Sequence, residues 1–82
     1  MNNTQTDPLE VQVGGDHYKR LKIQPVEFIK VNNLGFLEGC VIKRLCRYKH
    51  KDPAKALEDL GKARHEIDLL IKFHTEDINE QP

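Results

Sequence analysis

The sequence predicts a small all-α protein, three helices in a single domain behind a short N-terminal turn and extended segment. Three observations predict it. Apolar residues recur at three- and four-residue steps along two long stretches. Proline stands where two of the three helices would begin. Opposite charges four residues apart support the last stretch as a solvated helix.

Taken in order, residues 1–12 are polar and aperiodic and read as a mobile tail. Residues 13–74 form the domain, opening on a turn at Gly14-Gly15-Asp16-His17-Tyr18, with Lys19–Ile23 extended. The first helix covers Gln24–Val31. Pro25 suits its first position, Glu27 its first turn, and Asn32, Asn33 and Gly35 end it. The second runs from Phe36 to Lys49, with Leu34, Leu37, Val41, Leu45 and Tyr48 as the inward stripe. Asp52 caps a third helix that starts at Pro53 and is expected to reach about His74. Its inward stripe is Ala56, Leu60, Ala63, Ile67 and Leu70. Lys55–Asp59, Glu58–Lys62 and Lys62–Glu66 form its charge ladder. Residues 75–82 read as an acidic tail.

A chain of 82 residues buries a small core and is marginal alone. The usual staples are not in view. Cys40 and Cys46 lie on different faces of one helix, and no Cys/His spacing suits zinc, so no metal site is expected. The last turns of the third helix, with Leu69, Ile71 and Phe73, are apolar nearly all round. A second protein surface is therefore expected there, and a homo-oligomer with it. The free cysteines suit a reducing cytoplasm. No apolar run approaches a membrane span, and Met1–Glu10 lacks a signal peptide's regions.

Thirteen basic and thirteen acidic residues cancel, yet the balance is uneven. Lys43, Arg44, Arg47, Lys49 and Lys51 cluster with His50 and without an acid, which favours a phosphate-bearing partner or leaves a solvated face. Gly39, Lys43, Arg47 and His50 or Lys51 follow at helical steps as one stripe, a bare glycine followed by cations that suit phosphate. A glycine packed against a neighbouring helix is the plainer reading. Glu38, beside the apolar stripe, needs a partner: Lys62 or Arg64, a ribose hydroxyl or a metal. Lys62 and His65 sit side by side on the third helix, and Asp59 and His65 do not share a face. The amides around Gly14 and Gly15 can form an anion nest, with His17 and Tyr18 to bond or stack on a base.

Several activities are argued against. There is no P-loop pattern and no GxSxG elbow, and serine is absent. Helical pyrophosphohydrolases hold magnesium with closely spaced carboxylates, and the second helix offers only Glu38. No helix-turn-helix pattern stands out, so nucleic acid is not the expected partner.

The run VGGDHYKRLKIQPVEFIKVNNLGFLEGCVIKRLCRYKHK, followed by EDLGKARHEIDLLI, resembles the SaV-like family of small bacteriophage proteins. These are commonly labelled nucleotide kinases because a similar segment occurs in a T7-type phage deoxynucleoside monophosphate kinase that lacks a P-loop. The resemblance spans Val13 to Ile71, and the ordered set GGDHY, QPVEFI, FLEG, RYKHK and EDLGKA carries it. Matching positions include Gly15, His17, Tyr18, Glu38, Gly39, Lys43, Arg47, Lys51, Asp59, Lys62 and His65. Cys40 stands where the pattern has asparagine, Arg44 where it has tyrosine, and Glu66 where it has an aromatic. The resemblance implies a phage protein of the host cytoplasm that handles nucleotides. Three expectations compete. The first is binding of a nucleotide or cyclic nucleotide signal, a sequestering role against host defence. The second is phosphoryl transfer to a deoxynucleoside monophosphate, with Mg2+. The third is an adaptor that acts on a host protein through the apolar third helix.

Overall fold

The computed structural model describes residues 7–10 and 21–80. Its helices are α1 (Pro25–Val31), α2 (Phe36–Arg47) and α3 (Pro53–Glu80), with single 3-10 turns at Pro8–Glu10 and Tyr48–His50. Among the described residues there is no strand, so the all-α, three-helix class holds.

Local chemistry sets each boundary. Pro25 occupies the start of α1, and Glu27 lies in its first turn. At its other end Asn33 takes the left-handed conformation, φ 55°. The Asn33 amide then donates to the Lys30 carbonyl at 3.2 Å and the Leu34 amide to Ile29 at 3.0 Å. These bonds satisfy carbonyls that a helix end leaves open, with asparagine in the place more often given to glycine. At α3 the Asp52 Oδ1 accepts from the Lys55 amide at 3.1 Å, and Pro53 follows as the first helical residue.

Four boundaries differ from expectation. The last residues of α2 tighten into the 3-10 turn Tyr48–His50, which brings the chain round to Asp52 in a short span. Residues 21–23 bend rather than run extended. The expected mobile tail contains an ordered turn at Pro8–Glu10. The Asp7 side chain accepts from the Leu9 amide, and the Gln24 side chain donates to the Leu9 carbonyl. Finally, α3 runs 28 residues, to Glu80 rather than His74. Residues 75–80 contain no proline or glycine, and Lys72 pairs with Glu76 at 2.6 Å across the expected end, so nothing there stops the helix.

α2 packs mainly along α3, and α1 packs on α2. Among the described residues Pro25, Gly39, Asp59 and Ala63 are buried, and no large side chain is fully enclosed. Leu45 and Ile67, both expected inside, are exposed. Their places on the α2–α3 seam are taken by charged side chains.

Candidate functional site

α2 and α3 run antiparallel through the tight Tyr48–Asp52 connection, which sets the cations of one against the acids of the other. Arg44, Arg47 and Lys51 follow along α2 and the turn after it at three- and four-residue steps, on one face. Asp59 and Glu66 stand seven apart on α3, two turns on its facing side.

Asp59 is the hub, only 2% exposed. Arg47 grips its carboxylate with both arms of the guanidinium, Nε to Oδ2 at 3.0 Å and Nη2 to Oδ1 at 3.1 Å. Lys51 Nζ adds a contact to Oδ2 at 3.0 Å, and Arg44 Nη1 one to Oδ1 at 3.4 Å. A carboxylate in this setting would resist burial if it stood alone. The hydrogen bonds from Arg47, then those from Lys51, outweigh desolvation and hold its pKa at about 2. One turn along, Arg44 forks onto Glu66, Nε to Oε1 at 2.8 Å and Nη2 to Oε2 at 3.2 Å. Those bonds lower the Glu66 pKa and raise that of Arg44, and Cys40 nearby lowers Glu66 a little further. No buried side-chain polar atom among the described residues lacks a partner.

Beside this ladder an open groove is lined by Arg44, Glu58, Gly61, Lys62, His65 and Glu66. Gly61 lies bare within it. A Cβ there would meet nothing within 4 Å, so packing inside the protomer gives no reason for glycine. Glycine inside a helix costs about 1 kcal/mol against alanine. The groove thus has a flat backbone patch walled by a held guanidinium, a lysine and an imidazole.

The structure sorts the residues singled out from sequence. Lys62 and His65 do share one groove, with Arg44 opposite. The Gly39–Lys43–Arg47–Lys51 stripe divides. Gly39 packs against α1, where a Cβ would meet Ile29 Cδ1 at 3.2 Å, so the glycine serves helix contact. Lys43 is exposed, in a separate shallow groove with Gly39 and Ile29. Arg47 and Lys51 turn to Asp59. Glu38 is exposed in the first turn of α2, folded over Gly35, and pairs with neither Lys62 nor Arg64. Of the expected i,i+4 ladder Glu58–Lys62 forms at 3.1 Å, while Asp59 and Glu66 point across to α2 instead. Gly14, Gly15, His17 and Tyr18 lie outside the described residues. Cys40 and Cys46 are free and half-buried. No three His, Cys, Asp or Glu side chains among the described residues gather as a metal site, and no described helix is long and apolar enough to cross a membrane.

The Asp59 hub, Arg44 with Glu66, and Gly61 were not singled out as site features by the sequence reading. A usable signal was present: cations three, four and seven apart before a helix-turn-helix joint, and acids seven apart after it. A family model described as protein of unknown function (DUF3310) matches residues 12–68. No curated protein and no solved structure matches the chain.

Proposed function

The chain belongs to the DUF3310 family, and from that premise we propose that it binds a nucleotide or a nucleotide-derived signal in the groove over Gly61. The observation that carries this reading is the pairing of a sterically unneeded helical glycine with three nitrogen-bearing side chains, Arg44, Lys62 and His65, around one groove. A base or sugar lies flat on backbone that no Cβ covers, and Lys62 and His65 take the phosphate with charge-assisted bonds. Arg47 and Lys51 act one step removed, holding Asp59 and through it the orientation of Arg44. The resemblance to SaV-like phage proteins supports the ligand class and a setting in the host cytoplasm during infection, where sequestering a nucleotide signal serves the phage. Binding is ranked above phosphoryl transfer because the groove's two acids, Glu58 and Glu66, are each already paired with a cation. The adaptor reading rests on the exposed apolar residues of α3.

The test is calorimetry with a panel of mono-, di-, tri- and cyclic nucleotides, with inorganic phosphate as the reference. Lys62→Ala and His65→Ala are expected to weaken binding about tenfold each, the worth of ~1.4 kcal/mol, with little change in melting temperature. Arg47→Ala is expected to lower the melting temperature first. If the folded wild type binds no member of the panel, the groove reading fails and the adaptor reading takes its place.

A further inference from the structure

A second surface, on the opposite flank of α3, is built on a different repeat. Leu57, Arg64, Ile71 and Ile78 recur every seven residues, and Leu60, Ile67 and His74 follow each of the first three by three positions. That is the seven-residue repeat of a coiled-coil seam, sustained over the 28 unbroken residues of α3. At 100° per residue it lies about a quarter-turn from the Asp59–Ala63–Glu66 face that meets α2. Lys62 and His65 of the groove lie about a quarter-turn the other way, and Gly61 lies at the back of the helix between them and the seam. Helix α2 has only 12 residues and covers none of the seam's far end. The seam is in water: Leu57 is 71% exposed, Ile67 44%, Ile71 58% and Ile78 55%. Leu45 of α2, also exposed, falls on this same flank by helical geometry.

We propose that this seam pairs with the same seam of a second copy of the chain, the two α3 helices antiparallel. Self-pairing fits because the repeat is self-complementary. With residues whose numbers sum to 138 placed opposite, Leu60 meets the partner's Ile78, Ile67 meets the partner's Ile71, and Arg64 meets the partner's His74. Leu60, Ile67, Ile71 and Ile78 each thereby meet an apolar residue, while Leu57 falls beyond the paired stretch, opposite position 81 of the partner. The partner's Asp77 comes within one turn of Arg64 as a counter-charge. A parallel pairing instead stacks Arg64 on Arg64 and His74 on His74 inside the seam, like on like. The four exposed aliphatic residues leave on the order of 400 Å² of apolar surface per protomer, the size of a monomer's largest patch, which often marks an interaction site. Two copies, with the Arg64 methylenes and the His74 rings but without Leu57, bury on the order of 1,000 Å², about the least that a specific interface needs. The seam and the groove meet at Gly61, which also borders Leu57, Leu60 and Arg64, while the apolar residues of the seam play no part in the groove reading.

The test is the mass of the full chain by light scattering from 1 to 100 µM, with dissociation followed by dilution. Wild type is expected to be a dimer at the upper end. Ile71→Asp with Ile78→Asp is expected to abolish it, while Val31→Asp, at an exposed site on α1, leaves it unchanged. Because a broken dimer loses support for its fold, a strengthening variant is the sharper test. Arg64→Leu replaces a polar layer with an apolar one and is expected to tighten the dimer at least tenfold. Orientation is read by oxidation in a Cys40→Ser, Cys46→Ala background. Ile67→Cys chains mixed with Ile71→Cys chains are expected to cross-link faster than either alone. A folded wild type that is monomeric at 100 µM, an Arg64→Leu variant no tighter than wild type, or faster 71-to-71 cross-linking would each overturn the proposal.

Discussion

Replacing Asp59 with asparagine keeps the shape of the side chain and removes the charge on which three cations converge. In the wild type the carboxylate accepts from Arg47 twice, from Lys51 and from Arg44. The amide has one oxygen left to accept, and its NH2 group faces donors. Removing one partner of a buried ion pair costs about 3–5 kcal/mol. Here the cations are between 19% and 27% exposed and can turn partly to water, which places the loss near the lower end, about 3 kcal/mol. The titration gives a compatible figure. A carboxyl moved from 3.8 to about 2 on folding carries about 2 kcal/mol of stability at neutral pH. At 4–8 °C per kcal/mol for a domain of this size, Asp59→Asn should melt roughly 10–20 °C lower. The assay is thermal unfolding by circular dichroism at fixed protein concentration, since association shifts the apparent midpoint. The acid dependence supplies a second readout. The folded pKa is depressed, so this stability is fully present above about pH 4 and is lost as pH falls towards 2. The variant should keep only the smaller acid slope that Glu66 contributes. A variant that melts within 3 °C of wild type, or that retains the full slope between pH 4 and pH 2, would refute the hub argument.

Two further outcomes follow from particular contacts. Arg44→Ala, Glu66→Ala and the double variant should show a coupling of about 1.5 kcal/mol in urea unfolding, as for a forked, charge-assisted bond with both ends mostly shielded. Additivity within 0.3 kcal/mol, the ordinary spread for independent sites, would count against it. Asn33→Gly should raise stability by a few tenths of a kcal/mol and Asn33→Val should lower it by about 1 kcal/mol or more, because φ 55° suits glycine and strains a β-branched residue. Equal melting temperatures for the two would show that the turn does not hold that conformation in solution.

The starts of the helices were legible because they are written locally. Pro25, Pro53 and the Asp52 cap act on amides within a few residues of themselves. The far end of α3 was less legible because acidic composition alone does not stop a helix, and residues 75–80 hold no breaker. The inward stripes of both long helices were only partly right for a different reason. Hydrophobic periodicity places apolar residues inside, but here Arg44, Arg47, Asp59 and Glu66 occupy part of the shared face and leave Leu45 and Ile67 to solvent. The same cause hid the hub. Asp59 and Glu66 have lysines four residues before them in sequence, so a local ladder looked satisfied, while the stronger partners were guanidiniums on the preceding helix. Gly39 and Gly61 show that one residue type carries two meanings. The first is needed for contact with Ile29 and the second meets nothing, a distinction made only by the neighbouring helix.

The positions at which this sequence departs from the pattern it resembles prove to be one place in the structure. Cys40 and Arg44 lie one turn apart on α2, and both reach Glu66 on α3. At the positions where the resembled pattern has tyrosine and an aromatic, this chain has a guanidinium and a carboxylate paired with each other. The exchange is balanced, since the charge added on α2 is met by the charge added on α3. It also ties the groove to the hub, because Arg44 touches Glu66 with two nitrogens and Asp59 with the third. Across the ladder three cations face two acids, with Arg47 and Lys51 both on Asp59, while at the groove itself Arg44 and Lys62 are matched by Glu66 and Glu58.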